Sequence, residues 1–339
     1  MKNKVIEKKY ENIEKHSFIF DKIENNLNNF IPKSFNDYIG QEKLKEKLKV
    51  HILSAKKRNV CLDHILFFGP PGLGKTTISI LIANEIDAKI KIINGPAIQK
   101  TGDLVAILSQ LKKNDILFID EIHRLPIIVE EILYTAMEQF SVDIIIGQGM
   151  ASKTMKLSLQ PFTLIGATTK AASISSPLRS RFGITEKIDF YGIDDLSKII
   201  KQSLSFYSIN LNEKALNIIA NCSRGTPRIA KKLIKKIIDY FVINEKKNIN
   251  EEDIKEALNF FGIIENGLTQ VDIIILKILY ERGVENPIGI KSLSSLIGEE
   301  ESTIEDVYEP LLFKNSYIER TPRGRIIGIK KISEIKNLF

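Results

Sequence analysis

Tryptophan is absent from the 339 residues, cysteine occurs twice, and arginine supplies only ten of the 49 basic side chains. Cys61 and Cys222 stand far apart without metal-ligand spacing around either, which excludes a disulfide framework and a cysteine-based zinc site. Long hydrophobic runs are also missing: Ile144-Ile145-Ile146 is too short for a bilayer span, and Val271 to Leu279 carries Asp272 and Lys277 inside it. The opening MKNKVIEKKYENIEKH has no apolar core, so no secretory signal is read there and a cytoplasmic chain is expected. Lysine so outnumbers arginine, in a chain crowded with Ile and Asn, that the pattern looks like a coding bias toward A and T. The formal charge of +7 is then weak evidence for an acidic partner. The same scarcity makes each arginine informative, because a guanidinium does planar, bidentate work that lysine cannot.

What is present is a soluble globular composition, 43% hydrophobic and 27% charged, long enough for two or three domains. Its strongest signal is Gly69-Pro70-Pro71-Gly72-Leu73-Gly74-Lys75-Thr76-Thr77, set between the apolar run Ile65 to Phe68 and a helix-like stretch. Strand, glycine loop and helix are the context in which G-x-x-x-x-G-K-[ST] binds phosphate. Backbone N–H groups freed by Gly69, Gly72 and Gly74 cradle the anion, and the new helix offers its positive end. In this pattern Lys75 reaches the β- and γ-phosphates, and the Thr76 hydroxyl ligates Mg²⁺. A nucleoside triphosphate, taken as ATP, is the expected ligand.

Residues 1–29 are rich in Lys, Asn and Glu and read as a flexible segment. Helix (Gln41 to Lys57), strand (Ile65 to Phe68), helix (Thr76 to Ile86), strand (Lys89 to Ile93), helix (Gly102 to Leu111) and strand (Ile116 to Asp120) then alternate. A helix (Ile127 to Gln139) and a strand (Phe162 to Ala167) follow. Such alternation predicts an α/β domain over 30–190 with a doubly wound parallel sheet, binding its ligand at the carboxyl ends of the strands. Residues 191–264 read as four amphipathic helices, with Asn212 and Asn250 as N-caps, forming a small all-helical domain. Three further helices and a hairpin-like Tyr317 to Ile329 give residues 265–339 a winged-helix pattern.

Five more motifs carry chemistry. Ile116 to Glu121 is an apolar strand ending in two acids. Alone it reads as a solvated loop end, but after a phosphate loop in the same sheet it reads as a metal acid, Asp120, and a general base, Glu121. Leu164 to Ala167 leads to Thr168-Thr169, a hydroxyl pair placed to sense the γ-phosphate. Ser176-Pro177-Leu178-Arg179-Ser180-Arg181-Phe182 offers either a salt-bridged surface or an arginine finger for a neighbouring site. In Gly225-Thr226-Pro227-Arg228 a cation sits at the positive end of a helix, an unfavourable place that a bound phosphate would relieve. Finally, Arg320, Arg323 and Arg325 crowd a turn where the wing would lie, which predicts phosphate-backbone contacts to DNA.

From about Phe30 to Ile329 these segments, in this order, resemble the RuvB family of bacterial AAA+ motors of Holliday-junction branch migration. The likeness rests on Tyr38-Ile39-Gly40-Gln41, Asp63 to Thr77, Leu117 to Leu125, Gly166 to Thr169, Ser176 to Gly183, Arg224 to Arg228 and Arg320 to Arg325. It implies a hexameric ring of identical chains around duplex DNA, loaded at a four-way junction by RuvA, working with RuvC in a resolvasome and driven by ATP hydrolysis. In that family Lys75, Thr76 and Thr77 hold phosphate and Mg²⁺, and Asp120 with Glu121 forms the Walker B pair. Thr168 or Thr169, with Thr169 preferred, is the first sensor; Arg181 is the finger acting in trans, and Arg228 the second sensor, from the helical lid. Tyr191 and the segment Glu138-Gln139-Phe140 are implied nucleotide contacts, and the hairpin near Ile144 to Gly149 is implied to dock RuvA, a task suited to exposed isoleucines. The chain departs from the family pattern at Ile31-Pro32, where an arginine is usual and Lys33 is a partial substitute, and at Glu138-Gln139-Phe140, which differs from the usual acidic, aromatic pairing. Competing expectations are another AAA+ machine, a nucleotide-gated DNA-binding scaffold and a P-loop kinase. The scaffold has no use for Glu121, and the kinase none for the third domain.

Overall fold

The computed structural model describes residues 32–146, 153–207, 209–244, 246 and 249–338. Residues 1–29, Ile31 and the hairpin tip Gly147-Gln148-Gly149 lie outside them. The chain divides into two compact units, within residues 30–190 and within 191–339.

The first unit is built on five parallel strands, β1 (Ile65–Phe68), β2 (Ile90–Asn94), β3 (Ile116–Asp120), β6 (Thr163–Thr168) and β7 (Ile184–Lys187), in the order β2-β3-β6-β1-β7. Strands β1, β3 and β6 are buried almost throughout, which is why they appear in the sequence as continuous apolar runs. Helices α1 (Glu42–Arg58), α2 (Lys75–Glu85), α3 (Thr101–Leu108), α4 (Ile127–Gln139) and α5 (Ser176–Ser180) complete the unit. A core of Leu66, Leu117, Ile119, Leu133, Phe162 and Leu164 joins β1, β3 and β6 to α4. Strand β7 is absent from the sequence reading because Thr185, Glu186 and Lys187 leave Ile184 as its single apolar and single buried residue.

Strands β4 (Ser141–Ile146) and β5 (Lys153–Ser158) pair antiparallel as a separate ribbon, with Asp143 opposite Lys156 and Ile144 opposite Met155. Ile144, expected among the exposed isoleucines of a docking surface, is half-buried and packs on the core cluster with Leu157. Met155, by contrast, is exposed.

In the second unit, α6 (Ile193–Ser205), α7 (Glu213–Cys222), α8 (Pro227–Ile243) and α9 (Glu251–Phe260) form the helical domain. Asn212 and Asn250 are N-caps, accepting from Ala215 N–H at 2.8 Å and Asp253 N–H at 3.0 Å. The winged-helix part contains α10 (Gln270–Arg282), α11 (Ile290–Ile297), then α12 (Glu301–Thr303) running through a π-helical turn (Ile304–Tyr308) into α13 (Glu309–Lys314). The antiparallel pair β8 (Ile318–Thr321) and β9 (Gly324–Ile327) and a final helix α14 (Ile332–Lys336) follow. Among the described residues no helix is long and apolar enough to cross a membrane.

Candidate nucleotide site and nucleic-acid interface

The glycine loop leaves the carboxyl end of β1 and turns into α2 through three residues of positive φ, Gly69 (143°), Gly72 (81°) and Gly74 (97°). A Cβ on Gly69 would lie 2.5 Å from Ile188 O, and one on Gly74 would lie 2.8 Å from the Tyr38 hydroxyl, so the loop has no room for side chains. Lys75 opens α2 and is buried, its Nζ donating to Gly69 O at 2.8 Å and Pro70 O at 2.9 Å. Burial pushes this ammonium below the ordinary lysine range, against the opposing pull of Asp120 and Glu121. A buried cation whose hydrogen bonds run to two carbonyls, at the start of a helix, suits an incoming polyphosphate. Thr76 and Thr77 follow half-buried, and Asp120, half-buried at the end of β3, supplies with Thr76 the oxygen ligands a hard cation prefers.

Glu121 adopts φ 51°, a left-handed conformation uncommon for a residue with a side chain. Its N–H donates to Asp120 Oδ1 at 3.0 Å, and its Oε2 lies 3.3 Å from His123 Nδ1. Gly95 accommodates this turn, because a Cβ there would sit 2.6 Å from Glu121 O. The two threonines after β6 separate in role. Thr168 is fully buried; its Oγ1 lies 3.0 Å from His123 Nδ1 and accepts from Lys170 N–H at 2.9 Å. Thr169 is half-buried one residue beyond, where Gly69 N–H donates to Thr168 O at 3.2 Å and brings the strand end against the loop. His123 had no role in the sequence reading, although it is the histidine of Asp120-Glu121-Ile122-His123.

Arg181 and Glu138 lie elsewhere. Strand β7 runs parallel to β1 with Ile184 opposite Ile65, so Arg181 precedes the amino end of the sheet while Gly69 follows its carboxyl end. Four strand residues, about 13 Å, separate those ends. Arg181 Nη2 pairs with Glu138 Oε2 at 2.8 Å, and its Nε is buried without a hydrogen-bond partner among the described residues. Gln139 and Phe140 continue from Glu138; Gln139 Oε1 accepts from Lys156 Nζ at 3.2 Å, and the Phe140 ring packs edge-on against Phe162. The segment Glu138-Gln139-Phe140 is therefore placed with the arginine rather than with its own chain's glycine loop. His64 braces this end: Leu164 N–H donates to its Nδ1 at 2.8 Å and its Nε2 lies 3.1 Å from Met137 O. Burial holds that imidazole below its usual pKa.

In the second unit Tyr191 N–H donates to Gly225 O at 2.9 Å, tying Tyr191 to the turn that carries Arg228. Thr226 caps α8, Pro227 is its first residue and Arg228 its second. In the wing, Arg320 and Arg325 face each other across β8 and β9. Assigning DNA contact to Arg325 is corrected here: its side chain is 8% exposed, bonds to Glu309 through Nε and reaches Glu305 Oε1 at 2.9 Å through Nη2. Arg320 is more open, yet pairs with Glu309 Oε2 at 3.0 Å and lies over the Phe313 ring at 5.7 Å. Arg323 is exposed at the tip, and Arg320 is exposed as well, though held by the two glutamates.

The whole described chain has counterparts among known proteins. The family models described as Holliday junction DNA helicase RuvB P-loop domain, RuvB AAA lid domain and RuvB C-terminal winged helix domain match residues 30–188, 191–263 and 265–336. The Holliday junction branch migration complex subunit RuvB of Fusobacterium nucleatum is 48% identical over 307 residues, 91% of this chain and 92% of the relative. That of Campylobacter hominis is 51% identical over 299 residues, 88% of each chain. The solved Thermotoga maritima RuvB Holliday junction branch migration motor superposes with a TM-score of 0.80 at 42% identity, covering 90% of this chain and 98% of its own. With the glycine loop, the paired acids, the lid and the winged helix all matched, the chain belongs to the RuvB family of AAA+ P-loop ATPases and is an ATP hydrolase.

Proposed function

We propose that this chain is a DNA translocase that uses ATP to drive branch migration of four-way junctions in recombination and repair, as a homohexameric cytoplasmic ring, together with RuvA and, in a resolvasome, RuvC. The observation that carries the ring is the placement of Arg181 and Glu138 at the end of the sheet away from the chain's own glycine loop. A site assembled from one chain's loop and the next chain's Arg181 needs a closed arrangement of subunits. The Arg181 side chain is 37% exposed, open to a partner from outside the chain.

On this reading the amides from Gly69 to Lys75 and the side chains of Lys75, Thr76 and Thr77 bind the phosphates, Lys75 exchanging its two carbonyl partners for phosphate oxygens. Thr76 and Asp120 would hold Mg²⁺, which would supply charge neutralisation to the phosphates. Glu121 orients the attacking water and accepts its proton, while Thr169 contacts the γ-phosphate. Glu138-Gln139-Phe140 and Arg181 face the neighbour's nucleotide; Arg181 stabilises charge as the γ-phosphoryl group leaves. Tyr191 and Arg228 report the nucleotide to the lid. The functional domains are 30–190, 191–264 and 265–339, with the β4–β5 ribbon as the RuvA dock, and Arg323, with Arg320 beside it, as the wing's grip on phosphate.

The test is ATP-dependent migration of a synthetic four-way junction by the purified chain with its cognate RuvA. Arg181→Ala should bind nucleotide normally yet lose about 10³-fold or more in turnover. Rings of this variant that turn over at the wild-type rate would sink the shared-site reading.

A further inference from the structure

We propose that Arg224 is a positioning residue that fixes the lid to the winged helix, so that nucleotide state reaches the DNA-binding wing; this rests on the translocase reading above. The residue lies in the α7–α8 turn at φ 54°, directly before Gly225 (φ 75°), so the turn holds two successive left-handed residues. Four residues on is Arg228, and Gly225 O takes the Tyr191 N–H, so both lid contacts to nucleotide hang on the turn that Arg224 occupies.

From there one side chain reaches three places in the neighbouring domain. Arg224 Nε donates to Gly267 O at 3.0 Å, in the connector. Its Nη1 donates to Val307 O at 3.2 Å, and its Nη2 donates to Asp272 at the start of α10 and lies 3.5 Å from Thr269 Oγ1. Asp272 is completely buried; Oδ2 also accepts from Thr269 N–H at 2.7 Å, and Oδ1 has no hydrogen-bond partner among the described residues, so Arg224 is a cation against which this charge is buried. The connector is pressed onto the lid as well, since a Cβ on Gly267 would lie 2.5 Å from Cys222 O.

Val307 is the informative contact. Its carbonyl belongs to the π-helical turn, an irregularity that recurs at functional sites. Glu305 and Glu309 flank it in sequence and hold Arg325 and Arg320 of the wing. A continuous path of bonds thus runs from Arg228 through Arg224 to Val307, Glu305 and Glu309, and on to the hairpin that ends at Arg323. Lysine cannot replace Arg224, because a point ammonium beside Asp272 lacks the fork that spans Gly267 O and Val307 O.

The experiment measures duplex affinity of full-length rings with and without a non-hydrolysable ATP analogue, alongside basal ATPase and base pairs of junction moved per ATP. Arg224→Lys keeps the charge against Asp272 and guards against misfolding; Arg224→Ala removes the link, and Arg282→Ala, an exposed arginine on α10, is the control. Both Arg224 variants should keep basal ATPase within about twofold, while nucleotide control of duplex affinity and the yield per ATP drop at least about fivefold, the low end of a site-to-site coupling. Full retention of both by either variant overturns the proposal, as does parallel loss of basal turnover, which marks a merely structural role. A wild-type ring that moves no junction would remove the branch-migration reading, yet the nucleotide dependence of duplex affinity would still decide on Arg224.

Discussion

Replacing Arg325 with alanine removes the cation from a carboxylate, Glu309, whose side chain is 3% exposed. A buried ion pair broken on one side costs about 3 to 5 kcal/mol, chiefly because the remaining charge stays desolvated. Arg320 Nη2, 3.0 Å from Glu309 Oε2, offers partial compensation, which places the expected loss near the low end, about 3 kcal/mol. With an m-value of about 1 to 3 kcal/mol per molar urea, the midpoint of the winged-helix domain should fall by about 1 to 3 M. Hydrogen exchange at the β8 and β9 amides reads this transition without interference from the other domains. Adding Glu309→Gln should recover part of the loss, because no uncompensated charge is then buried. Arg323→Ala should leave the midpoint within about 0.5 kcal/mol of equivalent stability, as exposed substitutions do. It should also lower the salt slope of duplex binding by about 0.9, the yield of one phosphate contact. If Arg325→Ala keeps its urea midpoint and lowers the salt slope instead, the assignment of Arg325 to the wing's interior is refuted.

Two further outcomes follow from the geometry. Gly74→Ala should lower nucleotide affinity at least about tenfold, since a left-handed non-glycine residue costs about 1 to 2 kcal/mol before the 2.8 Å encounter with Tyr38 is counted. Gly102→Ala, with nothing within 4 Å, should bind nucleotide normally in the same titration, and equal losses at both glycines would defeat the steric argument. Burial, helped by the bond to Glu334, pushes the Tyr317 phenol from its usual value up to about 12. A phenol that ionises later in the folded than in the unfolded state adds stability that is complete below about pH 10 and lost as pH rises toward 12. Tyr317→Phe should flatten melting curves across that window, and an unchanged alkaline slope would show that another group titrates there.

How much of this was readable in the sequence depends on which property decides each feature. Strands β1, β3 and β6 are buried on both faces, so Ile65–Phe68 and Ile116–Asp120 stand out as apolar runs with the expected bounds. Asn212 and Asn250 could be named as caps because capping is local chemistry. Strand β7 was invisible because Ile184 is the single apolar residue in Ile184-Thr185-Glu186-Lys187. The arginines of the wing failed for another reason: type and spacing do not reveal which side of a hairpin is covered. Once Arg320 is set opposite Arg325, pleating places both on one face, and two like charges facing each other need an acid between them. Glu305 and Glu309 supply it from a helix that is distant in sequence. The pairing of Arg181 with Glu138 and the bridge of His123 between Glu121 and Thr168 depend likewise on long-range packing, for which neighbouring residues carry no signal.

The opposite placement of Gly69 and Arg181 along the sheet also governs how damaged copies behave together. On the ring reading, a Lys75→Ala chain and an Arg181→Ala chain are each inert alone, but they are inert at different edges. Mixed, the intact glycine loop of one can meet the intact arginine of the other, and some of their junctions become whole again. Two silent alleles in one cell would then restore part of each other's activity, whereas two lesions confined to the loop would not.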